Sequence, residues 1–316
     1  MKPIHVVAGV IRDSLGRVLL AQRTEGRDLA GLWEFPGGKV EPDESPEAAL
    51  VRELHEELGI EVRVGPPLIR VPQQYPDKRL VLDVHEIHGY AGTPKGMDGQ
   101  ALAWAPPHLL GSYCMPPADC PVVAALLQPD RYLVTPAPGH SDEAWLSTLD
   151  HALANGICRV QLRAPGIDPL RWARLAELAI GQCRNAGAEV LLNGDPVLAE
   201  RLGAGVHLRA SQLRDPGIGA ALAPLKSAGG RVGASCHDAD DLLRAQALGC
   251  DFAVLGSVRA TPSHPETAGI GWDAFATLRE RVWLPIYAIG GLHIDDIAIA
   301  RAHGAQGIAA IRGLWT

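Results

Sequence analysis

Gly37-Gly38-Lys39-Val40-Glu41-Pro42-Asp43-Glu44-Ser45-Pro46-Glu47, continued by Arg52-Glu53-Leu54-His55-Glu56-Glu57-Leu58-Gly59-Ile60, puts many carboxylates on one short loop and the segment after it. Ser45 is a good N-cap, Pro46 suits the first helical position and Gly59 suits the residue just past the end, so the spacing predicts one helix over Pro46–Leu58. On that helix Leu50, Val51, Leu54 and Leu58 share one face. Glu53, Glu56 and Glu57, three and four residues apart, fall on another.

Three ionised carboxylates crowded on one surface repel one another unless cations sit between them. Hard oxygen donors that leave waters on the metal suit Mg²⁺ or Mn²⁺, above all where a substrate phosphate completes the shell. Glu44 and Arg52 are placed to pair and brace the loop against the helix, and the two glycines let backbone approach metal and phosphate closely. The plain alternative is an amphipathic helix with a solvated acidic face. Arg52 beside Glu53, and the glycine pair at fixed distance upstream, argue against it.

A chain of 316 residues, 47% hydrophobic and 21% charged, has apolar mass for about two globular cores. A formal net charge of −7 with no basic stripe argues against a general nucleic-acid surface, yet suits a small metal-chelated nucleotide. The six cysteines, Cys114, Cys120, Cys158, Cys183, Cys236 and Cys250, are scattered without zinc spacing and read as reduced thiols of a cytoplasmic protein. The first residues, Met1 to Val10, look like a strand, and no stretch is apolar enough to span a bilayer.

The first half mixes strands with few helices. Val6–Ile11 and Arg17–Gln22 form a hairpin pattern around Asp13-Ser14-Leu15-Gly16, Leu80–Ile87 is a later strand, and Pro121–Leu127 reads as a closing helix before the short boundary Gln128-Pro129-Asp130. Beyond it, eight aliphatic runs (132–135, 158–162, 189–192, 205–208, 232–235, 252–255, 285–289 and 307–311) alternate with helical patterns such as 142–154, 169–185, 239–248, 272–281 and 294–303. Eight such units predict a (β/α)₈ barrel with functional residues at the strand C-terminal ends, in preference to a doubly wound open sheet.

From Gly38 the chain fits G-x5-E-x7-R-E-U-x-E-E-x-G-U, with U aliphatic, without a gap, and so resembles the Nudix hydrolases. Residues 1–128 are similar in particular to the MutT branch, the 8-oxo-dGTP diphosphatases, through Arg23, Trp33-Glu34-Phe35-Pro36, Tyr75-Pro76-Asp77 and Pro116-Pro117-Ala118-Asp119. The resemblance implies an α/β/α sandwich that hydrolyses a nucleoside triphosphate to monophosphate and pyrophosphate by water attack at phosphorus. It implies that Gly38, Glu53, Glu56, Glu57 and Asp98 hold Mg²⁺, with Mn²⁺ as a substitute. Arg23, Phe35, Gly37, Gly38, Lys39, Tyr75 and Asp119 would surround the nucleotide, and Glu53 or Asp98 would orient or deprotonate the water.

Two positions depart from that branch, which carries Glu at Asp98 and Asn at Asp119. An Asn amide accepts from N7–H of the oxidised base and donates to O6, whereas an ionised Asp only accepts. To read the same edge Asp119 must be buried and protonated; ionised, it favours a base presenting two donors.

Residues 131–316 resemble thiamine-phosphate synthase and its relative TenI through Val160-Gln161-Leu162-Arg163, Gly205-Val206-His207-Leu208, Gly233-Ala234-Ser235-Cys236-His237 and Ala288-Ile289-Gly290-Gly291. The resemblance implies a phosphate cradle at Gly290-Gly291 and Arg312-Gly313, after the last two strands. The synthase residues themselves are replaced. Ala164-Pro165 stands for an acidic-Lys pair, Asn193-Gly194 for Asn-Asp, Gln212 for a second metal-binding Asp, Thr261-Pro262-Ser263-His264 for T-x-T-K, and Ser257 for the TenI histidine. Asp195, one residue on, is the acid nearest to the lost metal position. The expectation is an Mg²⁺-dependent hydrolase of oxidised guanine nucleotides fused to a degenerate barrel that binds thiazole or thiamine phosphate. The alternative is a Nudix enzyme acting on a thiamine-pathway diphosphate, with thiazole phosphate chemistry retained in the barrel.

Overall fold

The computed structural model describes residues 2–26, 28–260 and 268–315. Its Cα positions divide into two compact units, one of Met1–Gln128 with Arg279–Trp283 and Arg301–Gly304, the other of Pro129–Leu278, Leu284–Ala300 and Ala305–Thr316.

The first unit has two sheets. Strands β1 (Ile4–Val10), β4 (Gly37–Lys39), β5 (Glu61–Gln74) and β6 (Arg79–Ala91) lie in the order β4-β1-β6-β5, and β2 (Val18–Gln22), β3 (Trp33–Glu34) and β7 (Leu102–Ala105) in the order β3-β2-β7. The expected hairpin is therefore corrected. Its turn forms, with Gly16 N–H donating to Asp13 O at 3.0 Å, but beyond a bridge at Arg12 and Val18 the strands diverge into different sheets. The cause lies in packing on both faces: Val7, Ile11 and Leu19 join one apolar cluster, whereas Ala8, Val10, Val18 and Leu20 join the other. Strand β5 carries Pro66, Pro67 and Pro72 and keeps them by lying at a sheet edge with register shifts against β6.

Helix α1 (Pro46–Leu58) covers one face and helix α2 (Cys120–Leu127) the other, completing the α/β/α sandwich. Ser45 Oγ accepts the Ala48 N–H at 3.2 Å, and Gly59 closes α1 in the left-handed region at φ 66°, as its cap residues require. The buried stripe is Ala49, Leu50, Leu54 and Leu58. Val51 leaves the stripe expected of it and is 41% exposed, because it lies at the outer margin of the arc those residues define.

The second unit is a closed barrel of eight parallel strands: β8 (Arg131–Val134), β9 (Arg159–Leu162), β10 (Glu189–Asn193), β11 (Gly205–Leu208), β12 (Val232–Cys236), β13 (Phe252–Gly256), β14 (Ile286–Ile289) and β15 (Gly307–Ala310). Each matches an aliphatic run of the sequence to within a residue or two. The helices between them include α3 (Asp142–Ala154), α4 (Pro169–Asn185), α5 (Pro196–Leu202), α6 (Ile218–Ser227) and α7 (Ala239–Ala247), of which α4, α5 and α7 begin on Asp168, Asp195 and Asp238, whose carboxylates accept an N–H of the first turn. Tyr132, Val134, Leu191, Phe252, Val254, Tyr287 and Ala309 fill the interior. Among the described residues all six cysteines are free thiols, and no helix is long and apolar enough to cross a membrane.

Leu54 is fully buried between α1 and β1. Leu54→Ala is expected to cost about 2–5 kcal/mol of stability, read as a lowered denaturant midpoint of the transition that carries the first unit.

Candidate functional site

Arg52 organises the loop before α1. Its Nε and Nη2 donate to the two oxygens of Glu44 at 3.1 and 2.9 Å, Nη2 also reaches Lys39 O at 3.0 Å, and Nη1 donates to Glu53 at 2.9 Å and Glu56 at 3.3 Å. These carboxylates hold the guanidinium proton still more tightly than usual, and the Arg52 hydrogen bond keeps Glu44 below the ordinary carboxylate range.

Strand β4 pairs antiparallel with β1, setting Gly38 opposite Val7 and Gly37 opposite Ala8. A Cβ on Gly37, at φ 154°, would stand 2.1 Å from Val7 O, and one on Gly38 would stand 2.1 Å from the Glu53 carboxylate. The glycines therefore allow backbone to approach both the strand and the acid.

Glu53 and Glu57 line one cavity of about 610 Å³ with Gly37, Gly38, Lys39, Arg23, Phe35, Tyr75 and Asp119. Glu56 projects outward instead, 59% exposed and on Arg52, so the single acidic face expected of the three is divided. Helical geometry accounts for the split, since Glu53 and Glu57 fall within the arc of the buried stripe and Glu56 beyond it. Asp98 lies with Glu57 in a small adjoining recess, its N–H bound to Gln100 Oε1 at 2.9 Å.

Mg²⁺ fits this donor set in one particular way. Among the described residues no three His, Cys, Asp or Glu side chains stand together as a ready-made cage. Two inward carboxylates beside glycine backbone in an open cavity match an ion that keeps its waters and takes one or two carboxylates plus substrate phosphate.

Asp119, in the lining of the same cavity, is 5% exposed and accepts the Phe35 N–H at 3.3 Å. Burial, reinforced by the nearby Glu34 charge, pushes its carboxyl up to about 8. Arg23 donates to Glu34 and to Asp28 O, and Lys78 pairs with Asp28. Glu34, Asp28 and Lys78 thus belong to the cavity wall although the sequence alone did not single them out; Glu34 lies inside the Trp33–Pro36 segment and Lys78 just after Asp77, which were the available signals. Phe35 serves twice, as core and as cavity wall. Burial holds the Tyr75 phenol up at about 12.

In the barrel, Asn193, Gln161, Tyr132, His207 and Ser235 form a chain of hydrogen bonds of 2.9–3.3 Å. Burial pushes His207 down to about 3, so the chain is uncharged. Gly290 (φ 114°) and Gly291 (φ 64°) follow β14, where a Cβ on Gly290 would meet Ser257 Oγ at 2.2 Å; Arg312 and Gly313 follow β15. Asp195, the acid nearest to the lost synthase metal position, caps α5 by accepting the Leu198 N–H at 2.9 Å. Gln212 spends its amide on Gly194 O and the Arg209 N–H, both at 3.0 Å. Thr261–His264 lie outside the described residues.

Residues 7–125 match the family described as NUDIX domain, and residues 131–314 the family described as Thiamine monophosphate synthase. The CTP pyrophosphohydrolase of Escherichia coli is 45% identical over 127 residues, 40% of this chain and 93% of the relative. The 8-oxo-dGTP diphosphatase of Haemophilus influenzae is 40% identical over 126 residues, 40% of this chain and 93% of the relative. The thiamine-phosphate synthase of Thermus thermophilus is 35% identical over 187 residues, 58% of this chain and 86% of the relative. The chain belongs to the Nudix hydrolases, enzymes that split phosphoric anhydrides, through its first unit. Through its second it belongs to the thiamine monophosphate synthase family.

Glu53→Gln and Glu57→Gln are each expected to lower kcat at least about 100-fold while the circular dichroism spectrum and denaturant midpoint hold. Full turnover in both variants would remove these acids from the reacting centre.

Proposed function

We propose that the first unit is an Mg²⁺-dependent pyrophosphohydrolase of nucleoside triphosphates whose leading substrate is 8-oxo-dGTP, released as monophosphate and pyrophosphate. The observation that carries this reading is the buried Asp119, its carboxyl pushed up to about 8 by burial, in the same cavity as Glu53 and Glu57. A neutral carboxyl is a donor beside an acceptor. It matches N7–H and O6 of 8-oxoguanine, and rejects N7 and O6 of guanine, where both atoms accept. Cytosine, with N4–H and N3, presents the same pairing, and the relative from E. coli is a CTP pyrophosphohydrolase. The base-reading chemistry therefore favours both substrates over dGTP.

In this reading Glu53, Glu57 and the Gly38 carbonyl hold the cation, with Glu56 and Asp98 at its margin. When bound, the cation offsets charge on the triphosphate and acidifies water. Arg52 fixes Glu53 through the Glu44 brace, and either Glu53 or Asp98 accepts the proton of the attacking water. Lys39, Arg23 and Lys78 draw the anionic substrate into a cavity whose size suits a nucleotide. The barrel is a binding module for a phosphate ester, with Gly290, Gly291, Arg312 and Gly313 as its cradle. The replaced synthase acids support binding over turnover.

Steady-state rates with 8-oxo-dGTP, CTP, dGTP and thiamine diphosphate, detecting phosphate and pyrophosphate separately, test the reading. Pyrophosphate from the first two, well ahead of dGTP, is expected; phosphate released fastest from thiamine diphosphate would replace it with a thiamine-pathway substrate. The protonated form of Asp119 dominates below about pH 8 and is lost above it, so KM for 8-oxo-dGTP is expected to rise from about pH 7 to pH 9. Asp119→Asn keeps donor and acceptor at every pH and should flatten that rise. Identical pH profiles in the two proteins would take Asp119 out of the base pocket.

A further inference from the structure

The loop that carries Asp98 is fastened to the end of the acidic helix. A helix leaves its last carbonyls without helical partners. At the end of α1, Leu58 O accepts the Lys95 N–H at 3.0 Å, and Glu57 O accepts both the Met97 N–H at 3.0 Å and Gln100 Nε2 at 2.9 Å. The other end of the same Gln100 amide, Oε1, accepts the Asp98 N–H at 2.9 Å. One side chain therefore ties the backbone of Glu57 to the backbone of Asp98, and all three residues line the small recess beside the cavity.

The loop is wrapped on that amide. Gly96 O accepts the Gly99 N–H at 3.1 Å, which closes a turn with Met97 and Asp98 at its corner, and Gly99 takes φ 78°. A Cβ on Gly96 would stand 2.1 Å from Gln100 O and 3.0 Å from Oε1, so glycine is what lets the turn close over Gln100. Asp98 itself is exposed. An exposed acid at the corner of a turn has freedom to lose before it can act at one point, and fixing its backbone removes part of that cost. Here the fixing comes from α1, the helix that also carries Glu53 and Glu57.

We propose that Gln100 is a positioning residue of the hydrolase site: its amide, seated on Glu57 O, sets Asp98 beside the acids of α1, so that loop and helix present their carboxylates as one unit. The inference rests on the reading of Asp98 as an acid at the cation margin or the base for water, and adds what places it there.

The test compares pyrophosphate release from 8-oxo-dGTP and CTP in Mg²⁺ by wild type, Gln100→Met, Asp98→Ala and the double variant. Amide exchange at Asp98 is followed by NMR in the metal-free wild type and in Gln100→Met. Methionine keeps the length of the side chain and removes both polar ends. Expected are a kcat about 10- to 100-fold lower in Gln100→Met with KM little changed, faster exchange at Asp98, and no further loss of kcat when Gln100→Met is added to Asp98→Ala. Losses that multiply in the double variant would make Gln100 a prop for the helix end alone and overturn the inference, as would unchanged Asp98 exchange in Gln100→Met. Wild-type kcat in Gln100→Met beside a loss in Asp98→Ala overturns the inference and leaves the Asp98 reading standing. Wild-type kcat in Asp98→Ala removes the Asp98 reading and the inference together.

Discussion

The grip of Arg52 on Glu44, Glu53 and the Lys39 carbonyl is the constraint around which the first unit's site is built. One guanidinium joins three parts of the chain: the acidic loop, the glycine strand β4 and helix α1. Without it Glu53 would carry a half-buried charge against Gly38 with no cation to offset it, and like-charge repulsion would push Glu53 and Glu56 apart. With it, Glu53 is held in the cavity beside Gly38 of β4. The helix contributes rigidity through Leu50, Leu54 and Leu58, so the loop is held by charge and the helix by apolar packing.

Asp119 in that cavity follows the reverse principle. Around Arg52 the charged forms of acids are stabilised by hydrogen bonds; at Asp119 burial disfavours the charged form, and the single Phe35 N–H does not restore it. The Glu44 carboxyl beside Arg52 and the buried Asp119 carboxyl are thus shifted in opposite directions by their surroundings. The barrel shows a comparable allocation. Arginine charge is paired with Glu189 and Asp251 at the N-terminal rim and absent from the interior chain around His207.

Much of this was legible beforehand where local rules suffice. Ser45, Pro46 and Gly59 define α1 to the residue, and eight aliphatic runs with intervening helices define the barrel strands nearly as closely. The hairpin failed as a reading because strand propensity and a turn do not say which sheet each strand joins. Strand β5 escaped notice because its prolines are tolerated only at an edge, and an edge is a property of the assembled sheet.

The sequence by itself determined the two families, the acidic helix with its glycine pair, and the loss of the synthase acids, because these are written in residue type and spacing. Tertiary structure alone decided which glutamates face the cavity, that burial pushes the Asp119 carboxyl up, and that Arg209 rests on Gly194. The reason is physical: burial, pKa and the pairing of charges depend on neighbours that are distant in the chain, such as Phe35 with Asp119 and Gly194 with Arg209.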